Sequence, residues 1–265
     1  MTAPASHARD PVATSEDLFL GGALRMLQPV SGYRAGLDAV LLAAACPVEE
    51  GRDAKCLDCG AGVGVAGLAL ARRAAGAHVT LVERDPVLAV LAQRNIAAND
   101  LGHRACVVAA DLTAPLQLVP ALADAAGTFD HITANPPYYA HGAGTRAADP
   151  LKDGSHAMGS GQLDDWIRFA AAMARDGGSL TLIHRADALP EILAAMARRF
   201  GGVRILPLHP RAGEPASRLL VGAIKGSRAA LAVLPGRVLH QEGGHGFVPE
   251  FDAILRRGAG LEWAA

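Results

Sequence analysis

Short uninterrupted apolar runs alternate along the chain with longer segments whose apolar residues recur every three to four positions. The runs are "KCLDCG" (55–60), "HVTLVE" (78–83), "ACVVAAD" (105–111), "FDHITANPP" (129–137) and "GSLTLIH" (178–184). Between them, "VAGLALARRAA" (65–75), "PVLAVLAQRNIAAN" (86–99) and segments near 163–174 and 189–200 have helical spacing. Buried strands separated by amphipathic helices predict βαβ units and a parallel sheet. The last two runs, "VRILPLHP" (203–210) and "SRLLVGAIKG" (217–226), are joined by Arg211-Ala-Gly-Glu-Pro, too short for a crossover helix, and so predict an antiparallel hairpin. The expectation is an α/β fold with a mostly parallel seven-stranded sheet, closed by that hairpin and carrying helices on both faces.

Ahead of the first strand, Ser31-Gly32 marks a turn, and a helix is predicted over 37–46 with Leu37, Val40, Leu41 and Ala44 on its inner face. Pro47 ends it. Residues 1–17 carry no such pattern and are expected to be a flexible tail, leaving 18–265 as one domain. No secretion signal and no apolar span of membrane length is present, and no repeat of 20 to 50 residues is visible.

Composition adds that the chain is globular: 51% hydrophobic and 19% charged, with 30 Gly and 16 Pro in 265 residues. Cys56 and Cys59 have the spacing of a zinc half-site, yet no second pair completes a tetrahedral set, so the four cysteines are expected to be buried, reduced strand residues in a cytoplasmic protein, with no metal. The net charge of −1 argues against a chain that coats nucleic acid. Its distribution is uneven, with 12 basic and 18 acidic residues over 1–165 against 13 and 8 over 166–265. That asymmetry fits either a nucleic-acid-facing half or ordinary solvated arginines.

Chemistry concentrates at the strand ends. Gly60, Gly62 and Gly64 follow a strand and open a helix, where bare backbone can approach a nucleotide. Asp58 just before them would repel a pyrophosphate and attract a cation. S-adenosylmethionine supplies a sulfonium and an ammonium. Glu83 ends the next strand, suited to two ribose hydroxyls, and Asp111 ends the third, suited to an adenine amine. A lone acid at a strand end is commonly a helix cap, but three in this order after G-x-G-x-G are harder to assign to capping.

The fourth strand ends in "TANPPYY" (133–139). The prolines stiffen the backbone behind Asn135, so its side-chain oxygen and the Pro136 carbonyl offer two acceptors to one amino group, and Tyr138 offers a face for stacking. Two acceptors on an exocyclic amine favour a tetrahedral nitrogen with its lone pair directed at a methyl donor. The segment 140–161 is glycine-rich and too long for a simple connection.

Together "LDCGAGVG", "LVERDP", "AADL" and "ANPPYY" resemble the successive motifs of class I S-adenosylmethionine-dependent methyltransferases with an NPPY amino-methylating motif. "QPVSGYRAGLDAVLLAAA" and "LTLIHRADALPEIL" resemble the bacterial tRNA(Val) adenine-N6 methyltransferase group, which modifies the adenine beside the anticodon. The resemblance implies a Rossmann-like methyltransferase fold, S-adenosylmethionine as cofactor, and tRNA as partner. It implies that Asp58, Gly60 and Gly62 hold the methionine part, Glu83 the ribose, Asp111 the adenine, and that Asn135, Pro136 and Tyr138 act on the target amine. Tyr33, Arg34 and Asp38 lie in the segment that covers the cofactor in such enzymes; Tyr33 as a packing residue and Asp38 as a first-turn helix charge are equal readings.

One departure is that "GSHAMGSGQL" keeps His156 but lacks the acid usual in similar sequences. Arg146, Lys152, Arg211 and Arg218 are the candidates for RNA phosphate contacts. The same chemistry on protein glutamine, on guanine N2, or on adenine in rRNA or DNA is the alternative; a glutamine enzyme would be expected to carry a helical N-terminal domain, whereas about 50 residues precede the glycine loop. A nicotinamide-dependent oxidoreductase predicts a phosphate-compatible loop that is not evident, and a silent cofactor-binding module is opposed by Asn135 and Tyr138.

Overall fold

The computed structural model describes residues 12–137 and 162–263. In chain order the elements are β1 (Thr14–Phe19), β2 (Leu24–Pro29), α1 (Leu37–Ala45), β3 (Ala54–Cys59), α2 (Val65–Arg73), β4 (Ala77–Glu83), α3 (Pro86–Ala98), β5 (Ala105–Ala109), α4 (Pro120–Asp124), β6 (Phe129–Ala134), α5 (Gln162–Met173), β7 (Ala174–Arg185), α6 (Leu189–Met196), β8 (Phe200–His209), β9 (Arg218–Lys225), the two-residue strands β10 (Ala232–Val233) and β11 (Arg237–Val238), and α7 (Pro249–Arg257).

The main sheet runs β10-β8-β9-β7-β6-β3-β4-β5, with β11 also paired to β8. Strands β3 to β7 are mutually parallel where they pair, and β9 inserts antiparallel between β7 and β8, as the hairpin predicts. The pattern predicts seven strands, and this sheet has nine. The two additions are β10 and β11, each only two residues long and parallel to β8. Strands that short carry too few residues to show a period.

Helices cover both faces. Residues of α1, α2, α3 and α7 build one apolar core with the sheet, and residues of α4, α5 and α6 build the other. Helix α1 is buried almost all round, from Ala39 to Ala45, because α2 and α7 flank it on the sheet. Helix α3 starts where Asp85 accepts from the backbone N–H groups of Val87 and Leu88, with Pro86 at its first position.

The N-terminal hairpin, β1 with β2, begins at Thr14, inside the stretch expected to be tail; residues 1–11 lie outside the described residues. It docks through two buried asparagines of α3. Asn95 Oδ1 accepts from Leu27 N at 2.7 Å, and its Nδ2 donates to Leu27 O and to Val63 O, both at 3.0 Å. One helical turn on, Asn99 Oδ1 accepts from Arg25 N at 2.9 Å and its Nδ2 donates to Arg25 O at 2.7 Å.

Two residues along a strand advance about 6.7 Å, and four along a helix about 6.0 Å. Side-chain amides at i and i+4 therefore match backbone pairs at j and j−2, and α3 serves β2 as a neighbouring strand would. Asn95→Ala is expected to lower unfolding free energy by about 2–4 kcal/mol, because it strands one buried and two part-buried backbone groups. Chemical denaturation of the variant against wild type measures it; a loss below about 1 kcal/mol would contradict the docking role.

Candidate active site

The carboxyl edge of the parallel strands collects the predicted site. After β3 the chain turns through Gly60, Gly62 and Gly64 at φ of 61°, 58° and 93°, a left-handed backbone that side-chain-bearing residues rarely adopt. A Cβ at Gly60 would collide with the ring of Trp166, and one at Gly62 with the ring of Tyr33. Bare glycine is thus needed twice over, for the turn and for the close approach of Trp166 and Tyr33 to the backbone.

Asp58 lies beneath this loop, only 2% exposed. Its Oδ2 accepts from Gly67 N at 2.9 Å and its Oδ1 from the Thr133 hydroxyl at 3.0 Å. Gly67 has no Cβ, and one would overlap Leu81, so α2 packs close enough to β4 to present that N–H. The carboxylate thus ties β3, α2 and β6 together under the loop, an arrangement not legible from its position before the glycines.

Burial pushes the Asp58 carboxyl up from 3.8 to about 7, against the lowering hydrogen bonds from Thr133 and Gly67, and the Glu83 carboxylate adds repulsion. The sign follows. The folded value lies above the unfolded one, so this contribution to stability is fully present below about pH 4 and is lost as pH rises through 7. The size is about 4 kcal/mol. Thermal unfolding of wild type is expected to show this decline between pH 4 and 7, and Asp58→Asn to flatten it; an equal decline in both would assign it elsewhere.

Glu83, at the end of β4, accepts from Gly62 N at 2.8 Å through Oε2 and from Asp85 N at 2.7 Å through Oε1. Burial raises its pKa, and the bonds from Asp85 and Gly62 lower it in part. A third lowering hydrogen bond comes from the Arg84 backbone. Asp111, two residues beyond β5, accepts through Oδ1 from both the backbone N–H and the hydroxyl of Thr113, which closes a turn and fixes the carboxyl at the same edge.

The β3–β6 register ends with Cys59 paired to Ala134, so Gly60 and Asn135 are the first residues beyond two neighbouring strand ends. Asn135 is half-buried and Pro136 buried. Tyr138, Arg146, Lys152 and His156 lie outside the described residues.

The segment before α1 divides. The Tyr33 ring rests on Gly62, and burial raises its phenol pKa, with Asp58 and Glu83 adding repulsion. Arg34 instead faces the hairpin, where it pairs with Asp17 and donates to Ser15 Oγ at 2.9 Å and Pro29 O at 2.7 Å. The Gln28 amide oxygen accepts from Ala35 N at 2.8 Å, so the residues that follow Tyr33 are held to the hairpin. Asp38 pairs with Arg218 at 2.9 Å, joining α1 to β9. Thr133, Asn95 and Trp166 also touch the site. Their signal in sequence is weak, since each becomes meaningful only through a partner far along the chain.

Among the described residues there is no group of three or more His, Cys, Asp or Glu arranged to hold a metal ion, and no helix is long and apolar enough to cross a membrane. Cys46, Cys56 and Cys59 are buried free thiols, two of them in β3 and Cys46 at the end of α1. Cys106 is exposed, on the outermost strand β5, so its expected burial does not hold.

Residues 36–207 match the methyltransferase small domain family. A relative from a Shewanella species, named tRNA1(Val) (adenine(37)-N6)-methyltransferase, is 36% identical over 111 residues, 42% of this chain and 44% of its own length. The chain therefore spans under half of that relative. A relative of the same name from Porphyromonas gingivalis is 30% identical over 213 residues, 77% of this chain and 79% of its own. The crystal structure of a predicted O-methyltransferase from Agrobacterium tumefaciens superposes with a TM-score of 0.70 at 36% identity, covering 84% of this chain and 98% of that one. With a glycine loop, three strand-end acids and Asn135 at one sheet edge, the chain belongs to the methyltransferase small domain family.

Proposed function

We propose that the enzyme methylates an exocyclic amino nitrogen, adenine N6 in a tRNA. The observation that supports this reading is the β3–β6 pairing, which makes the glycine loop and the Asn135-Pro136 segment leave adjacent strand ends. S-adenosylmethionine supplies an electrophilic methyl on a sulfonium. The protein's part is positional. Glu83 takes the ribose, Asp111 the adenine, and the Gly60–Gly62 backbone the methionyl end, while Asp58 holds the loop from below.

Asn135 Oδ1 and the Pro136 carbonyl accept the two hydrogens of the target amine. The nitrogen lone pair then leaves the plane of the base and points along the line of attack. Holding nucleophile and methyl near 3–3.5 Å in line removes about 7–11 kcal/mol of barrier. Tyr138 supplies the stacking face, and Arg211 and Arg218, both at the carboxyl edge, the phosphate contacts.

A hydroxyl acceptor is the second reading, raised by the name of the Agrobacterium protein. A hydroxyl has one hydrogen to give, whereas paired carbonyl acceptors suit an amine. The relatives' names carry the choice of tRNA. Incubation with labelled S-adenosylmethionine and total tRNA, followed by nucleoside analysis, is expected to yield N6-methyladenosine. Label on a ribose hydroxyl, on protein or on guanine would overturn the substrate.

A further inference from the structure

Trp166 lies near the start of α5, partly exposed, with one side packed on the core that contains Leu57 and Cys59. The benzo edge of its indole reaches the open side of Gly60: Cζ3 and Cζ2 stand 3.0 and 3.1 Å from the position a Cβ would take. Gly60 and Asn135 are the first residues beyond the paired ends of β3 and β6. A large aromatic ring therefore lies against the glycine loop.

The carboxylates are placed elsewhere. Both oxygens of Asp58 are engaged under the loop, and those of Glu83 face Gly62 and Asp85. Chemistry explains the arrangement. A carboxylate against the reactive methyl would itself be a nucleophile and could accept the group. The indole meets Gly60 edge-on, which leaves its faces turned to either side of that contact, and an aromatic face attracts a cation through its quadrupole and offers no lone pair.

We propose that Trp166 is a cofactor-contacting residue that favours the positively charged sulfonium of S-adenosylmethionine over the neutral thioether of its product, S-adenosylhomocysteine. The proposal rests on the cofactor lying along Gly60 and is independent of which amine is methylated. Methyl transfer removes the charge, so the same contact holds the cofactor before reaction and releases the product after it.

The chain has two tryptophans. The other, Trp263, donates its indole N–H to Ala45 O at the far end of α1 and lies under the Arg204 guanidinium. In a Trp263→Phe variant, emission reports Trp166 alone, and S-adenosylmethionine is expected to change it saturably at the concentration where calorimetry shows binding. Trp166→Leu is expected to weaken S-adenosylmethionine about tenfold and S-adenosylhomocysteine less than threefold, as cation–π contacts of this kind allow.

Trp166→Phe keeps a ring and should lose about threefold for the charged ligand only, which serves as the test if the leucine variant does not fold. Unchanged emission at saturating cofactor, or equal weakening of both ligands, would overturn the role of Trp166. Neither assay contains a methyl acceptor, so failure of the adenine reading leaves both results standing. Absence of any calorimetric binding by wild type would sink the cofactor placement as well.

Discussion

Asn135→Ala is expected to lower the single-turnover rate of methyl transfer at least about a hundredfold while cofactor affinity stays within a few-fold. The residue directly follows β6, and its side chain is assigned to the acceptor amine. Removing one preorganised polar contact that acts in the transition state commonly costs a factor of about 10²–10³. The split between rate and affinity is the diagnostic part. Asn135→Asp keeps one oxygen at the same place and adds a charge, so its rate should fall between those of alanine and wild type. Calorimetric affinity together with quenched-flow transfer measures both quantities, and a fully active alanine variant would remove the basis for amine activation.

Glu83→Ala should act on the other side of that division, raising the dissociation constant for S-adenosylmethionine about a hundredfold and changing the rate at saturation far less. Its carboxylate holds the Gly62 and Asp85 N–H groups at 2.8 and 2.7 Å, and it is the group placed to receive the ribose. Hydrogen bonds to a charged partner contribute about 1.5–3 kcal/mol each, and more than one is lost here. Glu83→Gln retains one acceptor and should lose less. Because burial raises the Glu83 pKa, cofactor affinity should also weaken on the acid side, as protonation removes an acceptor. Affinity unchanged in the alanine variant would move the ribose site elsewhere.

Much of this was readable along the chain. The strand runs, the helices between them and the closing hairpin all emerge where expected, because burial on both faces of a sheet leaves continuous apolar runs and one-sided burial leaves a helical period. The two ends were not read. Strand β2 alternates buried Leu24, Met26 and Gln28 with more exposed Arg25 and Leu27, but its pairing with β1 turns on Gly21-Gly22, and one polar residue, Gln28, sits on the buried side. Helix α7 carries Phe251 and Ile254 toward the core, with Pro249 at its start and Gly258 in the left-handed conformation at its end.

Local rules reach as far as one element and its ends. From them the sequence by itself determined the βαβ alternation, the left-handed glycine bend after β3 and the rigid Asn135-Pro-Pro end of β6, since backbone preference and side-chain period act between near neighbours. Which distant segments meet was decided only by tertiary packing. Pairing of β3 with β6 joined Asp58 to Thr133, 75 positions apart, and brought together the strand ends that lead into Gly60 and Asn135. Packing of α3 on β2 turned Asn95 toward Val63, while Arg34 and Asp38 found Asp17 and Arg218 away from the glycine bend. The physical reason is that a buried polar group must find a partner, and the sum of all contacts selects which one lies within reach.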